Sequence, residues 1–344
     1  MLNTNTNEKK KVKNAVVFGG AGFIGSHLCE RLLEKSYNVI CIDNFISSGQ
    51  NNITHLLRLP KFEFIRHDIS EPIDLEAKKD LTKFQINVFG VQEVYNLSCP
   101  TSIKNFEKVK IETCLANAYG TKNSLDVAMK YRAKFMHFSS QVVYGNFEKG
   151  EFVKEDFFQG VTNQLDPRAC YDEGKRYAET LVDVYREVHK LDTKILRIFR
   201  TYGPRMLLDD GQMIPDFIVN ALEGKDLTMN GGDDFQTSLI YVSDIVEGAM
   251  KLMRTKNNGP FNLGSPEIYK ITDVANKIIE LTESKSKLKF GEKLLFLREG
   301  AFPDITKVKD EIGWFPLVTL EDGLRKTIEY TEAHKNLLVF RTDV

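Results

Sequence analysis

The chain has 344 residues, enough to bury a large hydrophobic core in one large domain or in two packed ones. Hydrophobic residues make up 42% and charged residues 28%, a composition that excludes a disordered or fibrous protein. The formal net charge of −1 excludes a global field that would recruit a nucleic acid polymer or an anionic membrane, so an anionic ligand must be held by local groups.

Cysteine spacing and apolar runs give no sign of a metal centre, secretion or a membrane span. The five cysteines are scattered with no C-x-x-C pair, which favours free thiols in a reducing cytosol. No run approaches the about 20 apolar residues of a spanning helix. The polar start, residues 1–12, lacks the apolar core of a secretory signal. We expect a disordered tail at the start of a cytoplasmic protein.

Short apolar runs alternate with helical patterns along the first 200 residues. An apolar run at 14–19 is followed by helical spacing at 23–35 and a second apolar run at 37–42. The same alternation continues with strand-like runs at 62–66, 93–97, 134–139 and 194–199, and with helical stretches at 108–131 and 171–190. This alternation predicts an α/β fold with a parallel, doubly wound sheet of the Rossmann type.

The pattern changes after about Thr201, where Gly203-Pro204 breaks the chain. Shorter elements follow, with helices at 213–223, 271–282, 304–311 and 320–333, and a strand and helix at 239–253. We interpret the pair at 239–253 as a return to the main sheet. The expected organisation is a first domain at 13–200 with a return segment at about 237–255, and a smaller, discontinuous substrate-binding domain at 201–236 and 256–344.

Three glycines between the first predicted strand and helix form a G-x-x-G-x-x-G pattern. Gly19, Gly22 and Gly25 allow a sharp turn and a close approach to a pyrophosphate, to which the helix start offers free N–H groups. Asp43 ends the second predicted strand, where a carboxylate accepts a ribose 2′-hydroxyl and repels a 2′-phosphate, so NAD is favoured over NADP. A turn residue before Asn44 is the alternative reading of Asp43.

Asp68, after the third predicted strand, is a candidate for binding the adenine, with a helix cap as the alternative. The other candidates for cofactor binding flank the loop and the strand ends: Phe23, Ile24, Asn44, Ile69 and Leu97. The first part of the chain is therefore predicted to bind a dinucleotide.

Tyr171 and Lys175 lie four residues apart on a predicted helix, so their side chains share a face. A tyrosine with a pKa near ~10 is a poor base, and a nearby ammonium and the positive nicotinamide lower that pKa. The pair then accepts the proton of an alcohol while NAD accepts the hydride, and Lys175 also reaches the nicotinamide ribose. Ser140, better placed than Ser139, is the expected hydroxyl partner of the reacting oxygen; a serine that caps the next turn is the alternative.

Motifs along about 13–330 resemble the extended short-chain dehydrogenase/reductase family, in particular its nucleotide-sugar epimerases, dehydratases and decarboxylases. The UDP-glucuronate decarboxylase (UDP-xylose synthase) group is the most similar. The motifs are Y-N-L-S-C-P at 95–100, P-R-A-C-Y-D-E-G-K-R at 167–176, T-Y-G-P-R-M at 201–206, Y-V-S-D at 241–244, F-N-L-G-S-P-E at 261–267 and P-D-I-T-K at 303–307. The resemblance implies bound NAD, a pocket for a nucleotide-diphosphate sugar, oxidation at C4, and a homodimer through a bundle of the helices at 108–131 and 171–190.

Several positions depart from the family pattern. The decarboxylases have a Ser-Glu pair, and the dehydratases an acidic pair, where this chain has Gln141 and Val142. Neither side chain exchanges a proton at neutral pH, so no carboxylate is present there for the elimination of water. Gln141 remains a candidate for contact with the substrate.

Two arginines of the family are also replaced, by Thr237 and Ala301. Arg200 in turn stands where the family has asparagine. We hypothesise that Arg200, with Arg205 or Arg298, binds the diphosphate, a role that suits a bidentate guanidinium.

These patterns favour oxidation of a nucleotide sugar at C4 without elimination, as in a 4-epimerase or a C4 dehydrogenase. A UDP-glucuronate decarboxylase with rearranged catalytic groups is the alternative, because a β-keto acid loses CO₂ readily once C4 is oxidised. A 4,6-dehydratase and a non-catalytic NAD-binding protein are further alternatives. The complete set of Ser140, Tyr171 and Lys175 argues against the last of these.

Overall fold

The computed structural model describes residues 12–101, 106–145, 150–157, 163–208, 210–230, 235–291 and 301–338. Its strands are β1 (Asn14–Phe18), β2 (Asn38–Asp43), β3 (Phe62–Arg66), β4 (Glu93–Asn96), β5 (Lys134–Ser140), β6 (Phe152–Val153), β7 (Thr193–Ile198), β8 (Thr201–Tyr202), β9 (Leu227–Asn230), β10 (Gln236–Ser238), β11 (Ile240–Tyr241), β12 (Phe261–Leu263), β13 (Ile268–Lys270), β14 (Leu288–Gly291) and β15 (Phe302–Pro303). Its α-helices are α1 (Phe23–Glu34), α2 (Ile86–Phe89), α3 (Lys110–Leu115), α4 (Thr121–Tyr131), α5 (Ala169–His189), α6 (Met213–Leu222), α7 (Val242–Leu252), α8 (Ile271–Leu281), α9 (Thr306–Ile312) and α10 (Leu320–Leu338).

Seven strands form one parallel sheet in the order β12-β7-β5-β4-β1-β2-β3. Its strands are largely apolar because helices cover both faces. On one face, Val17 and Met136 share a core with α1 and α7, and on the other, Val16 and Phe135 share a core with α4 and α5. The α/β, doubly wound prediction is confirmed.

The strand that returns to the main sheet differs from the prediction. The segment at 239–253 does not enter this sheet: β11 pairs with β8, and α7 lies against α1. The return is made by β12, in which Phe261 pairs with Leu196 of β7. The physical reason is length, because β11 has two residues and runs directly into α7, whereas the apolar β12 follows a turn at Gly259.

The predicted helix at 108–131 is divided into α3 and α4 by a π-helical stretch, Ala116–Gly120. Elsewhere, α6, α8 and α10 surround a separate core that includes Phe217, Val274 and Leu324. This core belongs to the region expected to bind the substrate. Among the described helices, none combines the length and apolar character needed to cross a bilayer.

Candidate active site

The glycine loop joins β1 to α1 and has no room for side chains. Gly19 has a φ of +76°, a conformation that favours glycine, and a Cβ there would meet the backbone of Leu97 at 2.8 Å. A Cβ on Gly25 would lie 2.1 Å from the Gly19 carbonyl oxygen. Helix α1 starts at Phe23, and the N–H groups of Phe23 and Ile24 have no partner inside the helix, as an anion site at a helix start requires.

Asp43 ends β2 and fixes the shape of this loop. Its carboxylate accepts hydrogen bonds from Ala21 N at 3.0 Å, Phe45 N at 2.9 Å and Ser48 Oγ at 2.8 Å. Burial raises the pKa of the Asp43 carboxyl, and these hydrogen bonds oppose the increase. Ser48, a partner that the sequence analysis missed, is reached only because the chain after β2 folds back on the strand end.

A cleft opens at the carboxyl ends of β1, β2 and β4. The cofactor candidates that line it are Gly19, Gly22, Asp43, Asn44, Ile69 and Leu97. Asp68 is exposed, and its carboxylate accepts hydrogen bonds from Ser70 N at 2.8 Å and Asn44 Nδ2 at 3.2 Å. The cleft therefore contains most of the predicted dinucleotide site, while the Asp68 carboxylate is engaged in a local turn.

The end of β5 and the start of α5 bring the predicted catalytic side chains together. Ser140 is the last residue of β5, and its side chain lies close enough to Tyr171 to lower the pKa of the tyrosine. It also accepts a hydrogen bond from Val142 N at 3.4 Å. Ser139 instead donates to the Glu179 carboxylate at 2.5 Å, so of the two serines Ser140 faces the tyrosine.

The electrostatics of the pair differ from the expectation. Burial raises the pKa of Tyr171 to about 12, the Cys99 thiol adds to the increase, and the nearby Ser140 side chain opposes it. The Lys175 ammonium, whose pKa is lowered by burial, donates to the Phe138 carbonyl at 2.9 Å. The protein alone therefore does not make Tyr171 acidic, and a further positive charge is needed for its phenolate to form.

Buried polar side chains that the sequence analysis missed lie behind Lys175. Asn117, in the π-helical stretch, donates to Cys99 Sγ at 3.2 Å and to the Thr113 carbonyl at 2.8 Å, but its Oδ1 has no partner among the described residues. His137 of β5 is 1% exposed, and neither ring nitrogen has a partner there. Burial and the charge of Lys175 hold the pKa of His137 well below its usual value, so its ring is neutral.

One signal in the sequence and one in the structure point to these groups. His137 interrupts an otherwise apolar strand, and Asn117 lies in a predicted helix that the structure breaks with a π-helical stretch, a feature frequent at functional sites. Gly174 packs against Asn117, since a Cβ on Gly174 would lie 2.8 Å from Asn117 Nδ2. This contact sets the position of Lys175 and Tyr171 relative to the helix beside them.

Arg200 follows β7 at the edge of the sheet where Ser140 ends β5, because Ser140 and Ile198 are paired in register. Arg200 Nη1 donates to Thr237 Oγ1 at 3.1 Å, and its guanidinium carbon lies 5.7 Å from the Phe235 ring centroid. The residue that replaces a family arginine is thus in direct contact with Arg200.

The other substrate candidates lie elsewhere. Arg205 forms an ion pair with Glu30 of α1 at 2.6 Å, which does not favour a role in binding the diphosphate. Arg298 lies outside the described residues. Gln141 begins a short 3-10 turn directly after Ser140 and is partly exposed, with Val142 next to it.

Comparisons with known proteins agree with this geometry. The family described as GDP-mannose 4,6 dehydratase matches residues 16–327. UDP-glucuronic acid decarboxylase 4 from Arabidopsis thaliana is 39% identical over 92% of this chain and 68% of that protein, and UDP-glucuronic acid decarboxylase 1 from Xenopus tropicalis is 36% identical over 94% and 73%. The structure of UDP-glucuronic acid 4-epimerase from Bacillus cereus with UDP-glucuronic acid and NAD is 29% identical, with a TM-score of 0.79 over 93% of this chain and 99% of that one.

Proposed function

Because this chain belongs to the GDP-mannose 4,6-dehydratase family of NAD-dependent nucleotide-sugar enzymes, we propose that it oxidises the C4 hydroxyl of a nucleotide sugar. The observation that supports the proposal is the position of Cys99, which lines the cleft and acts on the pKa of both Tyr171 and Lys175, with Ser140 next to Tyr171. The cleft fits NAD because Gly19 and Gly25 allow the turn between β1 and α1 to pack closely against Leu97 and against itself, which leaves the start of α1 open to a pyrophosphate.

Each side chain has a distinct role in the proposed oxidation. NAD, when bound, supplies the hydride acceptor for C4. Ser140 forms a hydrogen bond with the C4 oxygen, and Tyr171 accepts the proton of the C4 hydroxyl. Burial keeps the pKa of Tyr171 at about 12, so its proton leaves only when positive charge is near. Lys175, held by the Phe138 carbonyl, keeps its ammonium beside the site. Proton acceptance is thereby linked to occupancy of the cofactor site.

The proposed outcome after oxidation is return of the hydride to the other face of C4, which gives the 4-epimer, or release of the oxidised sugar. Support comes from Gln141 and Val142, which follow Ser140 and carry no carboxylate for an acid–base elimination. We therefore propose that the reaction alters only C4 and eliminates no water.

Decarboxylation is the second candidate, and one observation favours it. The relatives that are 36% and 39% identical over most of the chain are named UDP-glucuronic acid decarboxylases. A 4-keto uronic acid loses CO₂ without help from an acidic side chain. The absence of a carboxylate at Gln141 and Val142 therefore does not by itself prevent this outcome.

Mass spectrometry of products from UDP-glucose, UDP-glucuronic acid and UDP-N-acetylglucosamine distinguishes these outcomes. We expect a product of unchanged mass with inverted C4, or a 4-keto sugar with an equal amount of NADH. A product that has lost CO₂ would replace the first candidate by the second. No reduction of NAD and no product with any nucleotide sugar would refute C4 oxidation.

We also propose a homodimer through α3 and α5, which expose apolar side chains on their outer faces. Ile111 of α3 is 72% exposed, Val188 of α5 is 67% exposed, and Tyr119 of the π-helical stretch that follows α3 is 58% exposed, which is unusual for large hydrophobic residues. Sedimentation should give a dimer for the native chain and a monomer for Ile111→Glu with Val188→Glu.

A further inference from the structure

Arg200 is a largely enclosed cation for which the chain provides no anion. In the described part of the chain, its one hydrogen-bond partner is the neutral hydroxyl of Thr237, at 3.1 Å from Nη1. The Phe235 ring, 5.7 Å away, adds a weak attraction to its face. No described carboxylate forms an ion pair with it. Burial and the charge of Arg168 lower the pKa of Arg200 to about 10.

Arg197, three residues earlier in the chain, differs from Arg200 because it has a carboxylate partner. Its guanidinium donates to both oxygens of Glu179, with Nη2 at 2.8 Å from one of them, and to the Glu155 carbonyl at 2.8 Å. A buried cation is stable when an anion offsets its lost hydration, and Arg197 has that anion within the chain. The same argument requires an anion from outside the chain for Arg200.

The position of Arg200 places that anion close to the reacting end of the cleft. Arg168, which repels Arg200, has its guanidinium carbon 5.6 Å from the Tyr171 ring centroid. Arg168 is itself within 3.4 Å of the Asp172 carboxylate. Of these two neighbouring cations, Arg168 has a carboxylate within the described chain and Arg200 has none.

We propose that Arg200, oriented by Thr237, binds an oxyanion of the nucleotide-sugar substrate. A guanidinium carries five donors in a planar fork, and one of them is fixed by Thr237 Oγ1, so the remaining edge can receive two oxygens together. The inference rests on the proposed function for the identity of the ligand. The oxyanion is either the diphosphate or, in a uronic acid substrate, the carboxylate of the sugar.

Titration calorimetry of the NAD-loaded chain with UDP, UDP-glucose and UDP-glucuronic acid tests the proposal. Arg200→Gln should weaken binding tenfold or more for all three ligands if the diphosphate is bound, and for UDP-glucuronic acid alone if the sugar carboxylate is bound. Lys251→Gln, on the exposed surface of α7, removes the same charge and should change none of the three affinities by more than about twofold. Equal affinities for Arg200→Gln and the native chain would overturn the proposal.

A double variant and a melting temperature separate binding from a structural role. Because Thr237 touches Arg200, Arg200→Gln combined with Thr237→Arg puts a guanidinium back into the same space and should restore part of the lost affinity. The native chain carries a buried cation without an anion, so Arg200→Gln should leave the melting temperature unchanged or raise it. A lower melting temperature without rescue by the double variant would show that Arg200 supports the fold and would overturn the proposal.

Ligand affinities and turnover also keep this inference separate from the proposed function. If the native chain binds UDP through Arg200 but oxidises no sugar, the oxyanion site stands and C4 oxidation fails. If sugars are oxidised and Arg200→Gln binds them normally, C4 oxidation stands and the oxyanion site fails.

Discussion

The cofactor end of the site and the proposed substrate end around Arg200 are prepared in opposite ways. At the cofactor end, the Asp43 carboxylate already receives hydrogen bonds from Ala21, Phe45 and Ser48. At the proposed substrate end, the Arg200 guanidinium has the neutral Thr237 as its polar partner in the described chain. Because the partners of the Asp43 carboxylate lie within the chain, they fix the shape of the cofactor loop before any ligand binds. Because Arg200 has no counter-ion within the described chain, its charge remains available to attract an anionic ligand.

The largest expected effect comes from the residue between the two ends. Tyr171→Phe removes the phenolic oxygen that accepts the C4 proton in the proposed oxidation, and the rate of C4 oxidation should fall about 10²- to 10⁴-fold. Single-turnover reduction of bound NAD on adding the nucleotide sugar measures this step. Tyr177→Phe, on the exposed side of the same helix, should keep the native rate. A Tyr171→Phe rate within tenfold of native would assign the proton to another group.

Asp43→Asn should break the cofactor end alone. An amide has the shape of the carboxylate but presents one NH₂ group to donors such as Ala21 N–H, so the loop loses part of its support. We expect NAD affinity to fall about 10- to 100-fold, the scale of one unsatisfied buried polar group. UDP affinity should be unchanged. Asp74→Asn, at an exposed carboxylate, is the matched control and should leave both affinities unchanged. Equal loss of NAD and UDP would show that the two ends form one unit.

The smallest effect concerns the buried ring behind Lys175. The pKa of His137 in the folded chain lies well below its usual value. On acidification, His137 therefore binds a proton in the unfolded chain before it does so in the folded chain. The free energy of unfolding should therefore fall as the pH drops below about 6.5. His137→Leu should reduce this slope, whereas His189→Leu, at the exposed end of α5, should keep it. Urea unfolding at several pH values measures the slopes, and an unchanged slope for His137→Leu would contradict the assignment.

The sequence predicted best what depends on neighbours along the chain. Gly19, Gly22 and Gly25 lie in a loop whose turn is local, and Tyr171 and Lys175 share a helix, so spacing was sufficient for both. Contacts between distant segments were not visible in the same way. The Arg200 contact with Thr237 and the ion pair of Arg205 depend on how separate elements pack.

The spacing of Tyr171 and Lys175 also could not predict which group would accept the hydrogen bond of Lys175. Tyr171 and Lys175 were expected to interact, yet Lys175 donates to the Phe138 carbonyl, because the packing of α5 on β5 brings that oxygen within 2.9 Å. The return strand was misplaced for a related reason. The apolar 239–241 segment is strand-like by composition, but its pairing partner, β8, lies outside the main sheet.

Gly174 has a practical consequence for anyone who wishes to adjust this enzyme. It sits between Tyr171 and Lys175 in the chain, and the space beside it is occupied by Asn117, 2.8 Å from where a Cβ would lie. One methyl group at this position would push α5 away from its neighbour, and Tyr171 and Lys175 would move with the helix while their chemical groups stay the same. A substitution at Gly174 can therefore shift the alignment of the tyrosine and the lysine without replacing either residue.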